Sequence, residues 1–201
     1  MRPFGTLDAV AAPLKAANLD TDQIIPARFL WRRRQDGYGE LLFYDLRHAE
    51  DGTKCTDFVL DRPEYGGAEI IVAGRNFGCG SSREAAVWAL ADAGVRAVIA
   101  PSFGDIFFNN SLMNGLLPVV LAEARVAALW TALEVGRNLR IVIDLAGQTL
   151  RGPGGEVEQF EIDPFRKQLL LAGLDELSFT LREQEAISAF EREYEREIDW
   201  L

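Results

Sequence analysis

Residues 74–86 read GRNFGCGSSREAA, and in them two hydroxyls, Ser81 and Ser82, stand directly before a guanidinium, Arg83. An apolar run, EIIVAG, leads in, and a helix-like run, AAVWALADAG, leads out. A helix start offers unpaired N–H groups and the positive end of the helix dipole to an anion. Arginine adds paired N–H donors that match a carboxylate. These groups together suit a small carboxylate-bearing substrate. The same positive surroundings lower the pKa of a nearby hydroxyl, as a serine base requires.

Three other readings compete for this turn. In a purely structural one, Ser81 and Glu84 form a capping box and the glycines serve a tight strand-to-helix turn. In a nucleotide-binding one, GCGSSR stands where a dinucleotide fingerprint would. Arg83 then occupies the place of the third glycine, and the next strand ends in APSF without an acid for a ribose hydroxyl. In the third, Cys79 at the helix start is a thiolate nucleophile paired with His48, the only histidine. Nothing in the sequence brings those two residues together.

The elements that must position the turn follow from periodicity and punctuation. Residues 1–68 read as loop-rich with a few short strands, and with possible helices at PARFLWRRR and GELLFYDLRH. Residues 69–145 alternate strands with helices, which predicts a parallel α/β sheet. The predicted strands are EIIVAG, VRAVIAP, LLPVVL and NLRIVIDL, and Pro118 argues for an edge or irregular position for the third. The predicted helices are SREAAVWALADAG, ending at Gly94, SFGDIFFNNSLMNG, with a Ser102/Asp105 capping box, and AEARVAALWTALEVG. Residues 146–201 read as a hairpin around GPGG, a helix capped by Asp163 with Pro164 at its first position, and a charged terminal helix. Thr180 and Glu183 give that last helix a capping-box start, and Ala186, Ile187, Phe190 and Tyr194 give it an apolar stripe for packing. The whole chain, 1–201, reads as one domain.

Composition narrows the function. Of 201 residues, 21 are Lys or Arg and 31 are Asp or Glu, a net charge of −10. Such a chain has no basic excess with which to neutralise nucleic-acid phosphates or an anionic membrane. RFLWRRR (28–34) is a local basic spot. No apolar run is long enough to span a bilayer, and the N-terminal stretch lacks the apolar centre of a secretory signal. Two cysteines fit a reducing cytoplasm better than a disulfide framework. Two cysteines and one histidine provide neither a structural zinc site nor the four thiolates of an iron–sulfur cluster.

Three stretches, NLDTDQIIPARFL (18–30), GRNFGCGSSRE (74–84) and APSFGDIFFNN (100–110), carry a resemblance in their order and spacing. The chain resembles the small subunits of 3-isopropylmalate dehydratase, the separate-chain counterpart of the aconitase swivelling domain, over nearly its whole length. The resemblance implies a swivelling, layered β/β/α-type α/β fold with a largely parallel sheet. It implies interconversion of 2- and 3-isopropylmalate through 2-isopropylmaleate in leucine biosynthesis. It implies a large-subunit partner carrying a [4Fe–4S] cluster, with no cofactor on this chain and a small hydroxy-dicarboxylate as substrate. On these positions it makes Ser81 the general base, Ser82 and Arg83 carboxylate ligands, Asp22 an active-site aspartate and Arg34 the nearest match to a second substrate-binding arginine, beside Arg32 and Arg33. The sequence departs from the common family pattern at Ala85, usually histidine, at Val87, usually proline, and at Gln35, usually arginine. Two alternatives stand beside this reading: a paralogous hydro-lyase acting on another substituted malate, and a non-catalytic dicarboxylate-binding module.

Overall fold

A computed structural model describes residues 1–55, 57–137 and 139–198. Its first element is β1 (Thr6–Leu14), followed by a single helical turn, α1 (Thr21–Ile24). A run of short 3-10 turns and another single turn, α2 (Tyr44–Arg47), leads to β2 (Ile70–Ala73). Then come α3 (Glu84–Asp92), β3 (Ala97–Ala100), α4 (Asp105–Met113), β4 (Leu117–Val120), α5 (Glu123–Glu134) and β5 (Arg140–Asp144). The chain continues through β6 (Thr149–Arg151), β7 (Val157–Gln159), α6 (Pro164–Ala172), α7 (Glu176–Arg182) and α8 (Gln184–Glu197).

The seven strands form one sheet in the order β4-β3-β2-β1-β5-β6-β7. Strands β1 to β4 run parallel to one another. Strand β5 runs antiparallel to β1, and β6 and β7 extend the sheet antiparallel beyond it. The expected layered α/β domain is therefore present, with an antiparallel wing added to its parallel half. Residues of β2 and β3 are buried at every position, as strands covered on both faces must be. Alternation along them divides the core in two. Ile70, Val72, Ala97 and Ile99 pack with Val126, Leu129 and Leu133 of α5. Ile71, Ala73, Val98 and Ala100 pack with Ala86, Ala89 and Leu90 of α3. Each fully buried Leu or Ile contributes about 1.5–3 kcal/mol relative to exposure.

Several expectations hold. Strand β4, with Pro118, is at the sheet edge. Asp163 caps α6 through the Arg166 N–H, with Pro164 at the first position. The hairpin β6–β7 turns through GPGG.

Others are corrected. The region expected to be loop-rich contains β1, the longest strand, which lies between the parallel and antiparallel halves. PARFLWRRR forms a 3-10 turn at Ala27–Phe29 and, at Arg34, the start of a second one, Arg34–Asp36, but no α-helix. GELLFYDLRH is broken at Phe43, whose φ of 53° interrupts a helix. Thr180 lies inside α7 and donates to the Glu176 carbonyl, while Asp175 caps that helix. The apolar stripe of α8 is not packed: Phe190 is 65% and Tyr194 48% exposed.

The segment between α2 and β2 is pinned by one carboxylate. Asp61 accepts from Arg47 at 2.7 and 2.6 Å and from Lys54 at 2.6 Å, and its side chain is only 6% exposed. Arg47 first, then Lys54, outweigh burial and pull the Asp61 pKa down to about 2.

Candidate active site

Strands β1, β2 and β3 are parallel, so the segments that follow them emerge at the same sheet edge. Open α/β sheets bind ligands at this carboxyl edge. The three stretches that carried the resemblance leave the sheet here, and backbone hydrogen bonds join them. Asn18 N donates to Arg75 O at 2.9 Å, Gly78 N to Leu19 O at 2.7 Å and Thr21 N to Cys79 O at 2.9 Å. Phe77 N donates to Ser102 O at 3.1 Å, and Gly104 N to Phe77 O at 2.9 Å. Asn76, with φ 58°, donates through Nδ2 to Asn18 Oδ1 at 2.9 Å.

Two glycines make this approach possible. Gly78 has φ +71°, and a Cβ there would fall 2.2 Å from the Phe107 ring. A Cβ on Gly104 would fall 2.6 Å from Gly78 O. Phe77 is fully buried beneath the turn and meets Phe107 edge-on at 5.3 Å.

On this platform the structure brings Asp22, Ser81 and Arg83 together. Helix α3 begins at Glu84 with Arg83 as its N-cap residue, so the Ser81/Glu84 capping box of the purely structural reading does not form. Thr21, only 2% exposed, donates its hydroxyl to Ser81 O at 2.9 Å. That bond fixes the backbone of Ser81 while its side chain takes no part in capping α3. Arg83 Nη1 donates to Asp22 Oδ1 at 2.5 Å and to Ile25 O at 3.4 Å. Asp22 also accepts from Ala27 N at 2.7 Å. The Arg83 hydrogen bond first, then the Ala27 N–H, hold the Asp22 carboxyl below its ordinary pKa. Ser81 and Ser82 are exposed, and Arg83 is half-buried.

The turn that presents Asp22 is capped by its predecessor. Asp20 Oδ1 accepts from Asp22 N and Gln23 N, and Gln23 Oε1 in turn accepts from Asp20 N. Arg28 lies close enough to contribute to the Asp22 field and is ion-paired with Asp45. Thr21 and Arg28 were not found from the sequence. The only signal for Thr21 was its place inside DTD, and Arg28 was one member of a basic run.

Arg34 is placed elsewhere. Its guanidinium lies 4.9 Å over the Trp88 ring, and Nη1 makes a long, 3.5 Å contact with Asn114 Oδ1. Asn114 also accepts from Trp88 Nε1 and donates to Glu84. Arg32 is held through its carbonyl by the Tyr38 hydroxyl. Ala85, in α3, is buried and belongs to the core packed beneath that helix. Ser102 does not cap α4, because its Oγ accepts from Asn76 N.

The Cys79–His48 pair is not formed. His48 stacks on Tyr44 at 4.0 Å with Nδ1 on the Tyr44 carbonyl, whereas Cys79 pairs with Asp20 across the turn. Cys55 and Cys79 are free thiols. Among the described residues, no three His, Cys, Asp or Glu side chains gather as a metal site. No helix among them is long and apolar enough to cross a membrane.

Comparison with known proteins agrees with this architecture. The Aconitase C-terminal domain family matches residues 1–124, and the LeuD_N family matches residues 127–164. The 3-isopropylmalate dehydratase small subunit of Azorhizobium caulinodans is 50% identical over 201 residues, covering 100% of both chains. That of Nitrobacter hamburgensis is 49% identical over 200 residues, again covering 100% of both. A crystal structure of 3-isopropylmalate dehydratase from Methanocaldococcus jannaschii is 28% identical with a TM-score of 0.63, over 92% of this chain and 99% of that one. With half of its residues shared along its full length, and the three joined segments at the carboxyl edge of its sheet, the chain belongs to the family of 3-isopropylmalate dehydratase small subunits.

Proposed function

We propose that the chain is the small subunit of a two-chain hydro-lyase that interconverts 2- and 3-isopropylmalate in leucine biosynthesis, with Ser81 as its base. Full-length relatives of that name favour this over a non-catalytic dicarboxylate-binding module. The observation that carries the site reading is the juxtaposition of Arg83, oriented by Asp22, with Ser81, whose backbone is held by Thr21.

In this reading Arg83 and Ser82 receive one substrate carboxylate. Asp22 and Ile25 O fix the guanidinium and leave its remaining N–H groups for the substrate. Ser81 Oγ, as an alkoxide, takes the proton from the carbon bearing a carboxylate. The C–H electron pair becomes the second bond of an alkene, and the hydroxyl on the neighbouring carbon departs. On the return, hydroxide adds to the carbon that lost the proton, and Ser81 gives its proton to the other carbon. A [4Fe–4S] cluster on the large subunit supplies the Lewis acid for the hydroxyl. The donor set of this chain, two cysteines and one histidine, does not suit such a cluster. The exposure of Ser81 and Ser82 leaves room for a partner to cover the site and exclude water. The free thiols suit a cytoplasmic setting.

The test is reconstitution with the large subunit, following the alkene intermediate by its absorbance. The chain alone is expected to be inactive and the pair active. Ser81→Ala should lower kcat by roughly 10²–10⁴-fold with KM little changed. Undiminished turnover in that variant overturns the assignment of the base.

A further inference from the structure

Arg34, left out of the Ser81 turn, lines a different recess. A cavity of about 440 Å³ is lined by Arg2, Arg34 and Arg96, with Glu69, Asn114 and the Gly94–Val95 turn. Glu69 and Arg96 directly precede β2 and β3, and Gly94 follows α3. The recess is therefore at the amino edge of the parallel strands, opposite the edge that carries Ser81. Helix α3 runs between the two edges, and Asn114 of the lining donates to Glu84 at the start of that helix.

The charges in this recess are not balanced within the chain. Among the described residues, none of the three arginines is in an ion pair. Glu69 is the one carboxylate in the lining. Burial first, then the charge of Arg2, push the Arg96 guanidinium below its ordinary pKa, and Glu69 only partly opposes this. Two of the arginines, Arg34 and Arg96, are also held in place. Arg96 lies 4.8 Å over the Phe4 ring and donates to Pro3 O, and Arg34 lies 4.9 Å over Trp88. Stacking uses the faces of the guanidinium planes and leaves N–H edges free to donate. An acidic chain that gathers three unpaired arginines around one glutamate has built a region two positive charges in excess.

We propose that this cavity binds a small doubly charged oxyanion, either a dicarboxylate or phosphate, at a site separate from Ser81 and Arg83. Its volume lies within the range of small-ligand pockets. The N–H groups of Arg34 and Arg96 that are not used on Asn114 and Pro3 remain as donors that both anions accept.

The experiment is calorimetric titration of the full chain with malonate and, separately, with inorganic phosphate at fixed ionic strength. Wild type, Arg96→Gln, Arg2→Gln and Arg83→Gln are compared. Saturable binding of at least one anion is expected in wild type and in Arg83→Gln alike, and the anion that binds identifies the ligand class. Arg96→Gln and Arg2→Gln should each weaken it by about tenfold or more. If Arg96→Gln fails to fold, as thermal unfolding would reveal, the exposed Arg2→Gln variant decides. Absence of saturable binding in wild type overturns the proposal. So does binding that survives Arg2→Gln or that is lost only in Arg83→Gln. Arg2→Gln should keep wild-type turnover after reconstitution, so this result is independent of the Ser81 assignment.

Discussion

Asp22, Arg83 and Asp61 show how ion pairs serve different ends in one chain. The Asp22–Arg83 pair is at an exposed edge, where screening limits its energetic worth, and its value is orientation. Asp61 is nearly enclosed and contributes to stability. Its folded pKa, about 2, is below the unfolded value near 3.8, so its contribution is complete above pH 4 and is lost as pH falls toward 2. The shift corresponds to about 2 kcal/mol, of which about half is gone at pH 3. Between pH 7 and pH 3, wild type should lose about 1 kcal/mol more than Asp61→Asn, measured by urea unfolding at both pH values. Equal losses would show that Asp61 is not the titrating group. At this scale the sequence was legible where chemistry is contiguous, as in Ser81-Ser82-Arg83. It was not legible for Thr21, whose hydroxyl meets a carbonyl sixty residues away, a contact that only the sheet creates.

The turn between β2 and α3 owes its shape to close backbone approach. Gly104, the N-cap of α4, leaves no room for a side chain above Gly78 O. Gly104→Ala should cost roughly 1–3 kcal/mol by overpacking and should lower reconstituted activity together with stability, because the displaced backbone adjoins Cys79 and the Ser81 turn. Thermal unfolding and turnover measured on the same preparation check this, and an unchanged Tm would contradict it. The alternating elements from β2 to β4 were legible because buried parallel strands are continuous apolar runs between helical periods. Strand β1 was not, because TLDAVAAPL includes an acid and a proline, and its pairing with β2 and β5 supplies what its own propensity lacks. The three capping-box patterns do not form: the hydroxyls of Ser102 and Thr180 already serve other backbone groups, and Arg83, not Ser81, is the N-cap residue of α3.

At the scale of the molecule, two regions are unfinished: the exposed edge with Ser81 and Ser82, and the stripe along α8. Charge along α8 was read correctly as a solvated face, but the packing expected of Phe190 and Tyr194 is not made within this chain. Phe190→Ala should therefore change the unfolding free energy of the isolated chain by no more than about 0.5 kcal/mol. A packed phenylalanine would cost about 3–5 kcal/mol. Denaturant unfolding distinguishes the two, and a loss in the larger range would mean that the stripe is buried in solution.

The central position of β1 also bears on how the chain is made. It leaves the ribosome before its partners, for Ala11 pairs with Ile70 and Val10 with Arg140. At translation rates of ~5–20 residues per second, the second of these partners is synthesised roughly 7–26 seconds after β1. For that interval the strand that joins both halves of the sheet is a nascent segment without its neighbours, the state in which chaperones have the most to protect.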